Sequence, residues 1–155
     1  MTVIEPVTLA EEFVYDLLSG SPQVKAQAKG GIHPSYAPTT VASPFIVHDI
    51  AGGDQVSPVG ASAPSLFTVL WDVTAWTKGQ GRIQARPLMT AALGALLGEE
   101  MAGLGQVPWQ ANDGTQAYMQ AVYVGPIAPP AVPPGMGEGP WTRIAHRFRI
   151  ELQIV

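Results

Sequence analysis

The 155-residue chain contains no cysteine and few charged residues. The absence of cysteine excludes a disulfide framework, a zinc–thiolate site and a thiol nucleophile. Asp, Glu, Lys and Arg together make up 13% of the residues, which is about half the share of a typical soluble domain. Because a soluble monomer normally covers its surface with charge, this shortage favours a subunit whose surface is committed to partners.

Long apolar runs and basic residues are also scarce. Gly, Pro or a charged residue interrupts every stretch that approaches the roughly 18 apolar residues of a membrane-spanning helix, so we expect no membrane contact. Eight Lys and Arg stand against twelve Asp and Glu, and the net charge of −4 disfavours sequence-independent DNA binding. Glu5, Glu11 and Glu12 lie where a secretory signal would carry basic residues, which predicts a cytoplasmic place of synthesis.

Two amphipathic helices are predicted. The first covers residues 8–20 and opens with the spacing of a capping box. The second runs from Pro87, which suits the first position of a helix, to Leu104. Residues 21–43 and 125–140 are rich in Pro, Gly and polar side chains, so they are predicted to form long loops.

Four strands are predicted from shorter patterns. Residues 45–50 are apolar, and the alternating residues 65–73 are the expected hairpin partner of this first strand. Residues 118–124 form the third strand, and residues 142–155 alternate most clearly, as in a strand with one buried face. The element order predicts one α/β (α+β) domain over residues 1–155, with a mainly antiparallel four-stranded sheet, two helices on one face and long Pro/Gly-rich loops.

The sequence carries no motif for catalysis, for a cofactor or for a metal. It has no phosphate loop, no dinucleotide fingerprint and no nucleophile elbow, and its three histidines are far apart. His146 falls on the apolar face of the last strand, where a hydrogen-bonded core histidine is expected. Asp49 and Asp72 lie near the ends of neighbouring strands and are able to approach each other, but no pocket is predicted around them. The prediction is a protein that is not an enzyme.

Arginine and tryptophan supply the candidate interface residues. One face of the last strand carries Arg143, Arg147 and Arg149, three of the eight basic residues. A solvated sheet face, a subunit interface and contact with DNA all remain open for them. Trp76 and Trp109 are expected at element boundaries or in loops, where they either anchor an interface or cap loops of their own domain. These five residues are the candidates for a subunit or lumen interface.

Five segments, taken in chain order, carry a family resemblance. They are the N-terminal amphipathic helix, Pro-Phe-Ile-Val-His, Leu-Phe-Thr-Val-Leu-Trp-Asp-Val, Arg-Pro-Leu-Met and the closing Trp-Thr-Arg-Ile-Ala-His-Arg-Phe-Arg-Ile strand. In this layout the chain resembles the tail terminator (tail-completion, minor tail) proteins of long-tailed bacteriophages. The resemblance implies a subunit that joins copies of itself in a ring, usually a hexamer. It also implies a location in the tail or neck of the virion, assembled in the host cytoplasm.

The resemblance further implies the partners of such a ring. They are the tail tube protein, whose polymerisation the ring ends, and a head-tail connector or neck protein, for which the ring provides the attachment surface. DNA passes through the ring without sequence-specific binding. A long last strand at the end of the chain would offer a free edge to a neighbouring copy.

Two alternatives remain open at the level of sequence. The first is another head-tail joining or neck protein of the same virion. The second is a monomeric α+β enzyme or small-ligand-binding domain, whose pocket would be lined by Trp71, His48 and Asp72. A monomeric mass and a thermal shift by metabolites would favour this second alternative.

Overall fold

The computed structural model describes residues 6–51, 56–58, 66–79, 82–98, 107–128, 132–137 and 139–154. Three helices occur in this part of the chain: α1 (Pro6–Ser19), α2 (Pro22–Gln27) and α3 (Arg82–Leu97). The strands there are β1 (Ile32–Pro34), β2 (Phe45–Ile50), β3 (Val56–Pro58), β4 (Leu66–Lys78), β5 (Val107–Gln110), β6 (Gln116–Ile127) and β7 (Trp141–Ile154). None of the helices in these ranges has the length and apolar character needed to span a membrane.

Six strands lie side by side in the order β1-β2-β4-β7-β6-β5, and β3 pairs with β4 outside this row. Strand β1 is parallel to β2, whereas the other pairs are antiparallel. The predicted mixed α and β class and the β2–β4 pairing are confirmed. The expected number of four strands is too small, because β1, β3 and β5 have only three or four residues each and are too short to show alternation.

The helices also differ in detail from the prediction. Helix α3 begins at Arg82, so the prediction that Pro87 opens this helix is wrong. A proline inside a helix removes one backbone hydrogen bond, but burial of Leu88, Met89 and other apolar residues of α3 outweighs that loss. Helix α3 ends before Gly98, whose positive φ of 80° terminates it, and the predicted continuation to Leu104 lies outside the described residues. The predicted loop at 21–43 contains α2 and β1.

The main hydrophobic core lies between the helices and one face of the sheet. Strands β4 and β7 supply its centre, where Trp71 lies opposite Phe148 and both side chains are almost fully buried. Ile150 and Leu152 continue the same face of β7 and are 0% exposed. The predicted buried face of the last strand is therefore confirmed. Helix α3 covers it with apolar residues at helical spacing.

A second hydrophobic cluster covers one end of the opposite face of the sheet. Its members are the buried residues Ala37, Phe45, Val47 and Trp76, with Val41, Met136 and Trp141 packed against them. The Trp141 ring meets both Phe45 and Trp76 edge to face, with ring centroids 6.0 and 6.3 Å apart. Residues 35–44 and 132–137, which the sequence predicted as loops, thus fold onto the sheet. At this end the sheet has a core on both faces.

Candidate interface on the open face of the sheet

The rest of the face opposite the helices carries the charged side chains of β4 and β7, and we refer to it as the open face. Even-numbered residues of β4 and odd-numbered residues of β7 point toward it, because side chains alternate along a strand. The sequence prediction that Arg143, Arg147 and Arg149 share one face of β7 is confirmed by this register. Their partners, however, differ from one arginine to the next.

Arg147 forms a two-pronged ion pair with Asp72 on the neighbouring strand. The two residues are directly opposite in the β4–β7 register, with Nε–Oδ1 and Nη2–Oδ2 distances of 2.7 and 3.1 Å. The side chains are 32% and 20% exposed. Hydrogen bonds to Asp72 raise the pKa of Arg147 above its ordinary value. The Arg147 guanidinium is therefore bound within its own subunit.

Asp49 extends this pair to a row across three strands. It lies opposite Asp72 in the β2–β4 register, so the expected approach of the two carboxylates is confirmed. One Asp49 oxygen accepts a hydrogen bond of 2.8 Å from the Ile50 N–H. The row Asp49–Asp72–Arg147 holds two carboxylates and one guanidinium, so its formal charge is negative.

Arg149 and Arg143 lie on either side of this row. Arg149 Nε contacts Glu151 Oε1 at 2.9 Å, and with 44% and 29% exposure this pair faces solvent. Arg143 lies opposite Trp76, beside the second hydrophobic cluster, and is half-buried. The open face is thus a mixed surface in which acidic groups accompany the arginines. Such a surface lacks the concentrated positive charge that binds a phosphate backbone.

Both candidate tryptophans make their contacts inside the subunit. Trp76 lies within β4 and is 1% exposed, so its expected position at an element boundary is wrong. Trp109 lies in β5, where its Nε1–H donates to Asp16 Oδ2 at 3.0 Å and its ring meets Phe13 edge to face. These contacts favour the capping role over the interface role. The interface role itself stays a prediction.

The sequence matches the family model described as Tail completion protein gp17 over residues 12–124. This stretch begins in α1 and ends in β6, and it covers most of the chain. The chain belongs to this family. No curated protein sequence matches it.

Membership of the tail completion family makes the protein a structural component of the bacteriophage tail, and it confirms the resemblance seen in the sequence. The matched stretch stops before β7. Arg143, Arg147 and Arg149 therefore lie outside the part of the chain that defines membership. Family membership therefore assigns no role to these three arginines.

The tail completion fold does not bring Trp71, His48 and Asp72 to one pocket. Trp71 and His48 are buried on the helix side, where Trp71 Nε1–H donates to His48 Nδ1 at 3.1 Å, whereas Asp72 is on the open face. The pocket expected for an enzyme or small-ligand module is therefore a wrong prediction, because neighbouring residues of a strand point to opposite faces. Burial, with a smaller effect of His33, lowers the pKa of His48 to about 4.

His146 lies on the same face of the sheet as His48. Its Nδ1 is 2.8 Å from the Tyr123 hydroxyl, so the predicted hydrogen bond is confirmed, although the residue is half-buried and not part of the core. Burial lowers the pKa of His146 as well. No group of three or more His, Asp or Glu in the described ranges is arranged to hold a metal ion.

The helix side of the subunit carries an open groove that sequence reasoning missed. It has a volume of about 1190 Å³ and lies between the α1–α2 corner and α3. Apolar and small residues dominate its lining, among them Leu17, Ala26, Ala91 and Gly94. The groove lies on the side of the sheet opposite the open face. The subunit therefore presents two different surfaces, one concave and largely apolar, the other carrying the ion pairs of β4 and β7.

Proposed function

We propose that copies of this protein form a ring at the end of the phage tail tube, and that the ring is a hexamer, as the family resemblance implies. The ring stops tube growth and provides the surface to which the head-tail connector or neck protein attaches. The protein has no enzymatic role and uses no cofactor. The observation that carries this proposal is the match to the tail completion family over residues 12–124.

The two-sided subunit supports this assignment. A terminating ring must contact the tube on one side, the head on the other and its own neighbours at the flanks. The groove between α1, α2 and α3 and the ionic open face lie on opposite sides of the sheet, so two dissimilar partners find two dissimilar surfaces. The charged fraction of 13% suits a protein with much of its surface in contact with others.

The charge distribution supports passage of DNA without binding. The net charge is −4, and Arg147 and Arg149 of the open face are paired with Asp72 and Glu151. Affinity for DNA depends on the number of phosphates that free basic groups neutralise. With Arg147 and Arg149 paired, the open face offers few such groups, so we expect only weak, salt-sensitive retention of duplex DNA on this face.

Polymerisation of the purified tail tube protein tests the proposal. Added chain is expected to bind one tube end and to stop elongation, so that electron microscopy shows shorter tubes and connector-bearing heads join only capped tubes. Binding to the connector but never to tube ends would instead favour the neck alternative. Unchanged tube length together with a monomeric mass and no binding to either partner would reject both roles.

A further inference from the structure

The two outer edges of the sheet are formed by β1 on one side and by β5 and β6 on the other. The prediction that the last strand offers a free edge is wrong, since β7 lies between β4 and β6 and pairs with both. Strand β5 pairs only with residues 116–119 of β6, so residues 120–127 have no partner strand on their outer side among the described residues. Across the sheet, β1 pairs only with β2 in that same part of the chain. Such backbone edges are templates for an added strand.

The β6 edge carries little of the protection that edge strands normally have. Isolated sheets discourage added strands with charged side chains, and β6 contains no charged residue in its twelve positions. Among the described residues, its protection is limited to the bulge between Tyr123 and Gly125 and to Pro126. Residues 120–123 precede both features, and no strand within the described ranges pairs with their outer side.

Uncharged sequence coincides with both edges. The two longest stretches without Asp, Glu, Lys or Arg are residues 30–48 and 114–137. The first contains β1 and residues 45–48 of β2, which is followed within the same strand by Asp49, and the second contains all of β6. Burying a charged side chain without a partner costs free energy. Because these two stretches contain no charged side chain, burying them in a contact avoids that cost.

Exposed apolar side chains occur on β6 and just after β1. Large hydrophobic residues exposed in the described ranges are Tyr123 and Val124 of β6, Tyr118 in the part of β6 that pairs with β5, Tyr36 just after β1, and Tyr15 of helix α1. Val124 is 51% exposed and Tyr36 is 67% exposed. A contact between the two edges would bury apolar groups from both sides.

We propose that the free edge of β6 in one copy binds the β1 edge of the next copy, so that the sheet continues from subunit to subunit. The occupant of the β6 edge is a second copy of this chain because the complementary edge, uncharged and aromatic, is present on the same molecule. A contact between two different surfaces is head-to-tail, and it closes into a ring when the rotation per subunit allows. This inference rests on the proposed function and specifies the interface of the ring.

Two lysine variants test the interface, each at one edge. Val124→Lys blocks the β6 edge and Tyr36→Lys blocks the β1 edge. Both side chains are largely exposed, so each variant is expected to keep the melting temperature of the subunit. Each alone is expected to raise the dissociation constant about tenfold or more, because an unpaired ammonium would be buried. Light scattering over a dilution series then shows the 16.3 kDa monomer where the wild type is oligomeric.

Mixing the two variants separates a head-to-tail contact from a two-fold one. The Val124→Lys protein keeps an intact β1 edge, and the Tyr36→Lys protein keeps an intact β6 edge. Their mixture is expected to form a one-to-one dimer of twice the monomer mass that grows no further. A two-fold β6–β6 contact would leave Tyr36→Lys fully assembled with itself and would give no dimer that contains both variants, and either result would overturn the inference.

Tyr118→Lys is the matched control. Tyr118 is also an exposed aromatic of β6, but its part of the strand is already paired with β5, so this variant is expected to assemble like the wild type. Loss of assembly in this control as well would show that lysine on β6 acts through general destabilisation, and the edge contact would then be rejected.

Cross-linking on tube ends distinguishes failure of the interface from failure of the function. The chain has no cysteine, so Tyr36→Cys and Val124→Cys each add a single reactive thiol. A flexible bismaleimide is expected to join position 36 of one copy to position 124 of another. A ring on tube ends without this cross-link would overturn the interface and leave the function intact. Absence of any ring, together with monomeric wild type, would overturn both.

Discussion

The buried His48 is expected to make the stability of the protein sensitive to acid. Trp71 Nε1–H donates to His48 Nδ1, which must therefore be unprotonated, and the proton of the neutral ring lies on Nε2. The side chain is 0% exposed, and Nε2 has no hydrogen-bond partner in the part of the chain that the structure describes. Burial holds the pKa of His48 at about 4, against 6.5 for an unperturbed histidine.

The sign of the effect follows from proton binding in the two states. Between pH 6.5 and pH 4 the unfolded chain protonates His48 and the folded chain does not, so the free energy of unfolding falls as pH decreases. One pKa unit corresponds to about 1.4 kcal/mol, so the loss at pH 4.5 amounts to about 2–3 kcal/mol. Below pH 4 the folded state also takes up the proton, and the loss levels off.

His48→Gln isolates this contribution. The glutamine amide oxygen is able to accept the Trp71 hydrogen bond, but the side chain does not titrate. Urea unfolding, followed by tryptophan fluorescence at pH 7 and pH 4.5 and at one protein concentration, gives the stability of both proteins. The loss between the two pH values is expected to be about 2–3 kcal/mol smaller in His48→Gln than with His48 present.

The control for this experiment is His146→Gln. Burial also lowers the pKa of His146, but this side chain is only half-buried, so its removal is expected to reduce the acid sensitivity less. Titration of carboxylates is common to all the proteins and cancels in the comparison. Parallel loss of stability with and without His48 would show that the histidine is not kept neutral by the fold, and the reasoning would be refuted.

Two further predictions concern contacts of the open face and of β5. Arg147→Ala is expected to lower the free energy of unfolding by about 1 kcal/mol, since the ion pair with Asp72 is partly exposed, and a double-mutant cycle with Asp72→Asn in low and high salt checks it. A zero coupling energy would contradict the ion pair. Trp109→Phe keeps the ring contact with Phe13 and loses the hydrogen bond to Asp16. The free energy of unfolding, measured by thermal unfolding, is expected to fall by about 0.5–1.5 kcal/mol. Unchanged stability would show that this hydrogen bond does not stabilise the fold.

The strongest periodic patterns were the parts of the fold that sequence could predict. The alternation of residues 142–155 correctly indicated a long strand with one buried face, and the arginines fell on the face opposite the core. The mutual approach of Asp49 and Asp72 followed from their positions in two adjacent strands. These features depend on local periodicity, which is readable in one segment at a time.

The neighbours of each strand were not readable in the same way. Chain order places β7 last, yet in space it lies in the middle of the sheet, because pairing depends on which apolar faces fit together and not on sequence position. Trp76 shows the same limit. Its position on the alternating β4 pattern assigns it to the polar face, and only the two loops folded over that face explain its burial. The alternation gives no signal for the longer strand, because apolar Trp76 falls on the polar face and polar Thr77 on the apolar face.

The proline-rich segment beside Trp141 is more than a connection between strands. Buried Pro133 and half-buried Met136 lie in it, and Met136 packs against the cluster that contains Phe45 and Trp76. Surface loops usually tolerate insertions, but extra residues here would let water reach two indole rings and a phenyl ring. Because prolines restrict the unfolded chain, ordering this segment over the aromatic rings costs little conformational entropy. A region that sequence comparison would treat as a freely variable insert is therefore limited in its length by the aromatic rings beneath it.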